Sequence, residues 1–254
     1  MDLKIKKIIV FDLDGTLAIS KQGLDEEISL LLGQLLDIKK VAIITGGGFP
    51  QLQKQVIDKI PFYSDRLKNL YIFPTKGAMM YNFNGEVWKK IYENTLSQEE
   101  KIKIIDAFDK ASNEVNFLPK EHYGDVLEDR ESQFTFSALG QDAPVELKQI
   151  WDKDVAKRKE LKKHLDKYLP EFAVEIGGST SIDVTQKSID KAYAIEQIRD
   201  RLNIDIKDML FIGDSIFEGG NDYSVVRTGV QNINVGDHNE TKVIIKDIID
   251  KTNN

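Results

Sequence analysis

The sequence predicts an α/β protein whose parallel sheet is assembled from both ends of the chain, with an α+β module inserted between them. Three observations carry this. Short β-branched runs at Lys6 to Phe11, Lys40 to Ile44 and Leu70 to Phe73 alternate with segments whose apolar residues recur every three or four positions, roughly Asp25 to Asp37 and Phe49 to Ile60. The same rhythm returns later, with a helix expected at about Ile189 to Leu202, strands at Met209 to Gly213 and Gln231 to Val235, and a terminal helix from about Glu240. Strands alternating with helices imply parallel neighbours joined by right-handed crossovers.

The middle of the chain has a different texture. A hairpin is expected around Asn82 to Lys90, a helix from Ser97 to Asn113, a strand at Gln133 to Leu139, a charged helix at Asp154 to Tyr168, and strands at Phe172 to Ile176 and Ser181 to Val184. Helices beside hairpin-like strands read as an α+β module. The expected division is therefore a core of residues 1–84 and 187–254 and an inserted module of residues 85–186.

Composition narrows the function. The 254 residues include no cysteine, so a disulfide framework, a thiolate metal site and a cysteine nucleophile are all excluded. A net charge of −7 argues against nucleic acid as the main partner. The longest apolar runs have strand length and no signal-peptide pattern precedes them, so no membrane partner and a cytoplasmic location are expected.

In open α/β sheets the reactive site lies beyond the carboxyl ends of the strands, so the residues just after each strand matter most. After the first comes Asp12-Leu13-Asp14-Gly15-Thr16; after the second, Thr45-Gly46-Gly47-Gly48; after the penultimate, Gly213-Asp214 and then Gly219-Gly220-Asn221-Asp222. Four carboxylates and a hydroxyl are thereby expected on one edge. Clustered carboxylates repel, and a hard divalent ion relieves them; an oxygen-only ligand set suits Mg²⁺. Glycines let backbone N–H groups approach a phosphate, and Lys191, opening a helix, completes the charge balance.

Taken together, these residues resemble the four motifs of the haloacid dehalogenase (HAD) superfamily: Phe11 to Leu17 the first, Thr45-Gly46 the second, Lys191 the third, and Gly213-Asp214 with Asn221-Asp222 the fourth. The resemblance implies a Rossmann-like core with an inserted cap. It also implies that Asp12 forms an aspartyl-phosphate, that Asp14 is the general acid and base, and that Thr45 and Lys191 hold the phosphoryl oxygens. Asp12, Asp14, Asp214 and Asp222 would hold Mg²⁺, and Gly46 and Asn221 would contact the substrate.

Within the superfamily, Gly177 to Val184 followed by Asp190-Lys191 is similar to eukaryotic-type phosphomannomutases. That likeness implies substrate contacts from Arg130, Ser181 and Asp183, the last two sharing one face of a strand. Where those enzymes carry a second arginine, this chain reads Ala138-Leu139-Gly140-Gln141. A mutase must hold a phosphate at each end of its substrate, a task suited to bidentate arginine. The expected activity is therefore hydrolysis of a small phosphorylated metabolite, a hexose phosphate above all. The alternative is a phosphomannomutase-like mutase. A non-enzymatic binding module is the weakest reading, because every catalytic position is filled, and a homodimer is left open.

Overall fold

Each β-branched run of the N-terminal third is a strand, and together they set the register of one sheet. In the computed structural model, which describes residues 3–20, 22–61 and 64–253, β1 (Ile8–Asp12), β2 (Lys40–Ile44) and β3 (Leu70–Phe73) lie parallel. A hairpin of β4 (Met79–Phe83) and β5 (Trp88–Glu93) extends this sheet antiparallel. The chain then forms a second, antiparallel sheet from β6 (Leu127–Asp129), β7 (Gln133–Ser137), β8 (Phe172–Ile176) and β9 (Ser181–Gln186), ordered β6-β7-β9-β8. It returns to the first sheet as β10 (Met209–Gly213) and β11 (Gln231–Asn234), giving the order β11-β10-β1-β2-β3-β4-β5.

The inner parallel strands of the first sheet, β10, β1, β2 and β3, are buried on both faces. Alternation along β1 assigns the layers. Ile9 and Phe11 belong to an apolar cluster with α1 (Glu26–Ile38) and α8 (His238–Asn253), through residues such as Leu32, Leu35, Ile245 and Ile248. Ile8 and Val10 belong to a second cluster with Ala194, Ile195 and Ile198 of α7 (Lys191–Leu202). Each fully buried aliphatic side chain of these layers contributes about 1.5–3 kcal/mol. Helix starts follow their capping chemistry: Asp25 accepts the Ile28 N–H at 2.8 Å, and Asp190 accepts the Tyr193 N–H at 3.0 Å.

The second unit has its own core. α4 (Gln98–Glu114), opened by a reciprocal Ser97–Glu100 capping box, and α6 (Ala156–Tyr168) share an apolar cluster with Phe134, Phe136, Val174, Ile182 and Val184 of the sheet. The alternate residues of β7 and β9 are polar.

Two expectations change. The compact units divide at Glu93/Asn94 and Ile189/Asp190 rather than at 84/85 and 186/187. The physical reason is that β5 pairs with β4, with Trp88 opposite Phe83, and so belongs to the first sheet. The helix expected over Phe49 to Ile60 breaks into a short α-helix, Phe49–Leu52, followed by a π-turn, Gln53–Ile57. The short β6 and the helix Val145–Trp151 carry too little periodicity to be read in advance. Among the described residues, no helix is long and apolar enough to cross a membrane.

Candidate active site

Asp12 is the last residue of β1, directly between β10 and β2, so the strand delivers its carboxylate to the C-terminal edge while every residue behind it is buried. Gly213 ends the neighbouring β10 and puts Asp214 on the same edge. Asp222 reaches back to this edge and accepts the Ser215 N–H at 3.0 Å. Carboxylate oxygens of Asp12, Asp214 and Asp222 lie within 4.8 Å of one another.

Glycine is required at two points of this convergence. A Cβ on Gly213 would sit 2.5 Å from Asp222 Oδ2, and one on Gly15 2.5 Å from Asp214 Oδ2. Gly15 also has φ +91°, which L side chains avoid.

Lys191, the first residue of α7, donates from Nζ to Asp12 Oδ1 and to Asp222 Oδ1, and all three side chains are buried. One ammonium faces three carboxylates. Burial pushes the Asp12 carboxyl up to about 7, against the opposing charge of Lys191 and with Asp222 and Asp214 adding to the rise. Burial and the Asp222 charge likewise raise Asp214. For Lys191 burial acts to lower the pKa, and the charges of Asp12 and Asp222 more than offset it, so the group stays an ammonium.

The stability consequence has a definite sign. A carboxyl whose folded pKa lies near 7 and whose unfolded pKa lies near 3.8 binds more protons folded than unfolded, so its contribution declines as pH rises between those values. In metal-free buffer, the stability of the native protein relative to Asp12→Asn should therefore fall from pH 4 to 7. Urea unfolding of both proteins across that range measures it; a flat difference would remove the burial argument.

The residues also fit a divalent cation. Asp12 Oδ2 is buried with no hydrogen-bond partner, and so is Thr16 Oγ1. An orphaned carboxylate oxygen inside a set of three carboxylates that share one ammonium is a hard, oxygen-only environment two positive charges short of balance. Asp14 does not join this cluster. Half-buried, it lies past the strand end in a turn closed by the Gly15 N–H on Ala18 O at 2.7 Å, so three of the four expected carboxylates converge.

Thr45 comes directly after β2 and is buried. Its hydroxyl accepts the Gly47 N–H at 3.2 Å, and its carbonyl accepts the Lys76 N–H at 2.8 Å. Because C=O and N–H of a trans peptide point in opposite directions, that second bond turns the Gly46 N–H away from Lys76. The Thr75 N–H holds Gly47 O at 3.0 Å in the same manner.

This supporting turn is strained, and nothing in the local sequence pattern predicts it. Thr75, Lys76 and Gly77 all have positive φ, 47°, 58° and 93°, at a cost of about 1–3 kcal/mol for each of the first two. Such strain persists only where neighbours over-determine it, and a Cβ on Gly77 would lie 2.5 Å from the Ala194 Cβ of α7. Gly77→Ala should cost about 2–4 kcal/mol in urea unfolding. A loss under about half a kcal/mol would mean the turn is slack.

Asn221, next to Asp222, is exposed. The remaining expected contacts belong to the second unit. Ser181 and Asp183 lie on one face of β9, opposite Ser137 and Thr135, and both are nearly buried; Asp183 Oδ1 accepts the Thr135 hydroxyl at 2.9 Å. Arg130 pairs with Glu128 at 2.7 Å. Gln141 is held within the unit, its carbonyl accepting Lys148 Nζ at 2.6 Å. The residue that sequence reasoning passed over is Thr16, whose buried, partnerless hydroxyl the Asp-x-Asp-Gly-Thr pattern already contained.

Comparison with known proteins agrees with this geometry. The chain is 27% identical to a phosphomannomutase of Saccharomyces cerevisiae, over 87% of this chain and 85% of the relative. It is 28% identical to a phosphomannomutase of Encephalitozoon cuniculi, over 93% and 91%. In fold it is similar to Plasmodium falciparum IMP-nucleotidase, with a TM-score of 0.73 at 18% identity over 98% of this chain and 70% of that one. It is also similar to the C-terminal domain of C. albicans trehalose-6-phosphate phosphatase, with a TM-score of 0.64 at 14% identity over 98% and 94%. The family described as haloacid dehalogenase-like hydrolase matches residues 9–252, from the first strand to the last helix, and the chain belongs to that family.

Proposed function

We propose that this protein is a Mg²⁺-dependent phosphatase of small phosphorylated metabolites, a hexose phosphate first among them, acting through an aspartyl-phosphate on Asp12. The observation that carries the reading is the state of Asp12: a buried carboxylate with one oxygen on Lys191 and the other without a partner. Such a group is oriented and poorly solvated, as a nucleophile needs to be.

In this reading an Asp12 oxygen attacks phosphorus in line, and the bond to the leaving oxygen breaks as Asp14 donates a proton to it. Water then attacks the phosphoryl group, Asp14 takes its proton, and phosphate leaves with Asp12 regenerated. Lys191, the Thr45 hydroxyl and the Gly46 N–H hold the phosphoryl oxygens. Asp12, Asp214 and Asp222 would hold Mg²⁺, which when bound balances the charge of the phosphoryl group; Asp14, outside the cluster, keeps the acid–base role alone. Asn221, Arg130, Ser181 and Asp183 would select the rest of the substrate.

Release of inorganic phosphate from a panel of hexose phosphates tests the reading. Phosphate should appear with Mg²⁺ and stop on chelation; turnover unaffected by chelator would remove the metal from the proposal.

One observation favours a second reading, a hexose-phosphate mutase: the two relatives named above, matched over more than four-fifths of both chains, are phosphomannomutases. Against it stands Gln141, a neutral amide where those enzymes would place an arginine. Each lost charge-assisted contact to a phosphate is worth about 1.5–3 kcal/mol, so a bisphosphate intermediate should escape. Hydrolysis should therefore outrun interconversion of 1- and 6-phosphates, and Gln141→Arg should shift the balance towards interconversion. Rapid isomerisation of mannose 1-phosphate with little phosphate released would make the mutase reading correct.

A further inference from the structure

Lys191 makes two contacts to buried carboxylates, and the residue before it makes a second ion pair with the same short helix. Asp190 caps α7 and also accepts both terminal nitrogens of Arg227, Nη1 to Oδ2 at 2.5 Å and Nη2 to Oδ1 at 2.7 Å. Arg227 lies on the 3₁₀ helix Tyr223–Thr228, which starts immediately after Asp222. The cap and first residue of α7, Asp190 and Lys191, thus grip Arg227 of the 3₁₀ helix and Asp222 just before it, with the charges reversed between the pairs. All four lie in the first unit.

We propose that the Asp190–Arg227 pair is a positioning device that holds the first turn of α7 so that Lys191 meets both Asp12 and Asp222. The pair differs from the buried one in the property that matters here. Its side chains are 20% and 54% exposed, whereas those of Lys191 and Asp222 are 3% and 0% exposed. An exposed ion pair adds little to global stability. Its bidentate geometry, however, fixes a planar guanidinium against a planar carboxylate and so fixes direction as well as distance.

Helix packing alone does not supply that constraint. Val225 joins the apolar cluster of Ala194, Ile195 and Ile198, and this packs the 3₁₀ helix against α7 at one point beyond its first turn. The first turn of a helix, by contrast, has N–H groups without intrahelical partners and frays most readily. Asp190 Oδ1 serves the Tyr193 N–H and Arg227 at once, so the cap and the ion pair are one object. Removing the guanidinium leaves the capping oxygen in place but frees its orientation, and Lys191 is the next residue along.

The inference rests on the reading of Lys191 and Asp222 as site residues, and its test keeps the two apart. Arg227→Gln removes the charge, and Asp190→Asn retains a capping oxygen while losing the pair. Each variant should lower kcat about 10-fold with KM changed less than about 3-fold, and should alter Mn²⁺ affinity, followed by the paramagnetic signal of the free ion, several-fold. The melting temperature should move by no more than about 3 °C. Because the two residues act through each other, the double variant should be no worse than either single one. Wild-type Mn²⁺ affinity in both single variants, additive losses in the double variant, or losses of activity that track losses of melting temperature would each overturn the proposal. A wild-type protein without turnover on any phosphate ester would refute the catalytic reading instead, and the Mn²⁺ measurement would still decide the role of the pair.

Discussion

Asp12→Asn is expected to reduce turnover by about 10³-fold or more while leaving the fold intact. The amide is nearly isosteric with the carboxylate, and the strand around it is held by its parallel pairing with β2 and β10, which the substitution does not touch. What disappears is the anionic oxygen that, on the proposed mechanism, would attack phosphorus. The same substitution removes one of the like charges that raise each other's pKa in the cluster, so the variant should unfold at equal or higher urea concentration than the native protein at pH 7 without metal. Phosphate release and urea unfolding measured on one preparation check both statements. Residual turnover above a few per cent would remove Asp12 from the role of nucleophile.

Lys191→Met is the other large effect, and it acts on stability and activity together. The ammonium is the shared partner of two buried carboxylates, and deleting one member of a buried ion pair leaves uncompensated charge at a cost of about 3–5 kcal/mol. Methionine keeps much of the chain volume, so cavity formation adds little. With the cation gone, nothing opposes the rise that burial imposes on Asp12, and proton uptake relieves the repulsion at lower pH. The deficit should accordingly be large at pH 8 and smaller at pH 5, whereas loss of an exposed ion pair, whose partners stay charged at both pH values, would give equal deficits. Urea unfolding at the two pH values decides it, and equal deficits at both would refute the electrostatic account. Phosphate release should fall at least about 10²-fold alongside, because the group that holds Asp12 and that, on the proposed mechanism, would hold the phosphoryl oxygens is lost.

The strand ends are legible in the sequence because a parallel sheet puts reactive groups on the residues just past each strand. Asp12, Thr45 and Asp214 can be assigned to one edge from the runs that precede them, with no knowledge of the loops. Lys191 and Asp222 are reachable only through motif order, since neither ends a strand. The limits are physical. The Phe49 to Ile60 pattern suits an α-helix, yet a π-turn interrupts it where tertiary packing outweighs local periodicity. That Asp14 lies in the turn beyond the strand, with its carboxylate outside the group formed by Asp12, Asp214 and Asp222, is not legible from its proximity to Asp12 in the sequence.

The residues alone specified the parallel sheet, through β-branched runs alternating with helical periodicity, and the chemistry of the site, through carboxylates and glycines placed after strands. They did not specify which charges meet. Lys191 contacts Asp12 across 179 positions of sequence, and Asp190 finds Arg227 across 37. Nor did they reveal the left-handed Thr75-Lys76-Gly77 turn that grips the Thr45 to Gly47 loop, because a β-branched residue such as Thr75 takes positive φ only under tertiary constraint, here in a turn whose Gly77 packs against Ala194. Propensity and periodicity are local quantities, whereas a buried ion pair or a strained turn exists only when distant segments are brought within a few ångströms and water is excluded from between them.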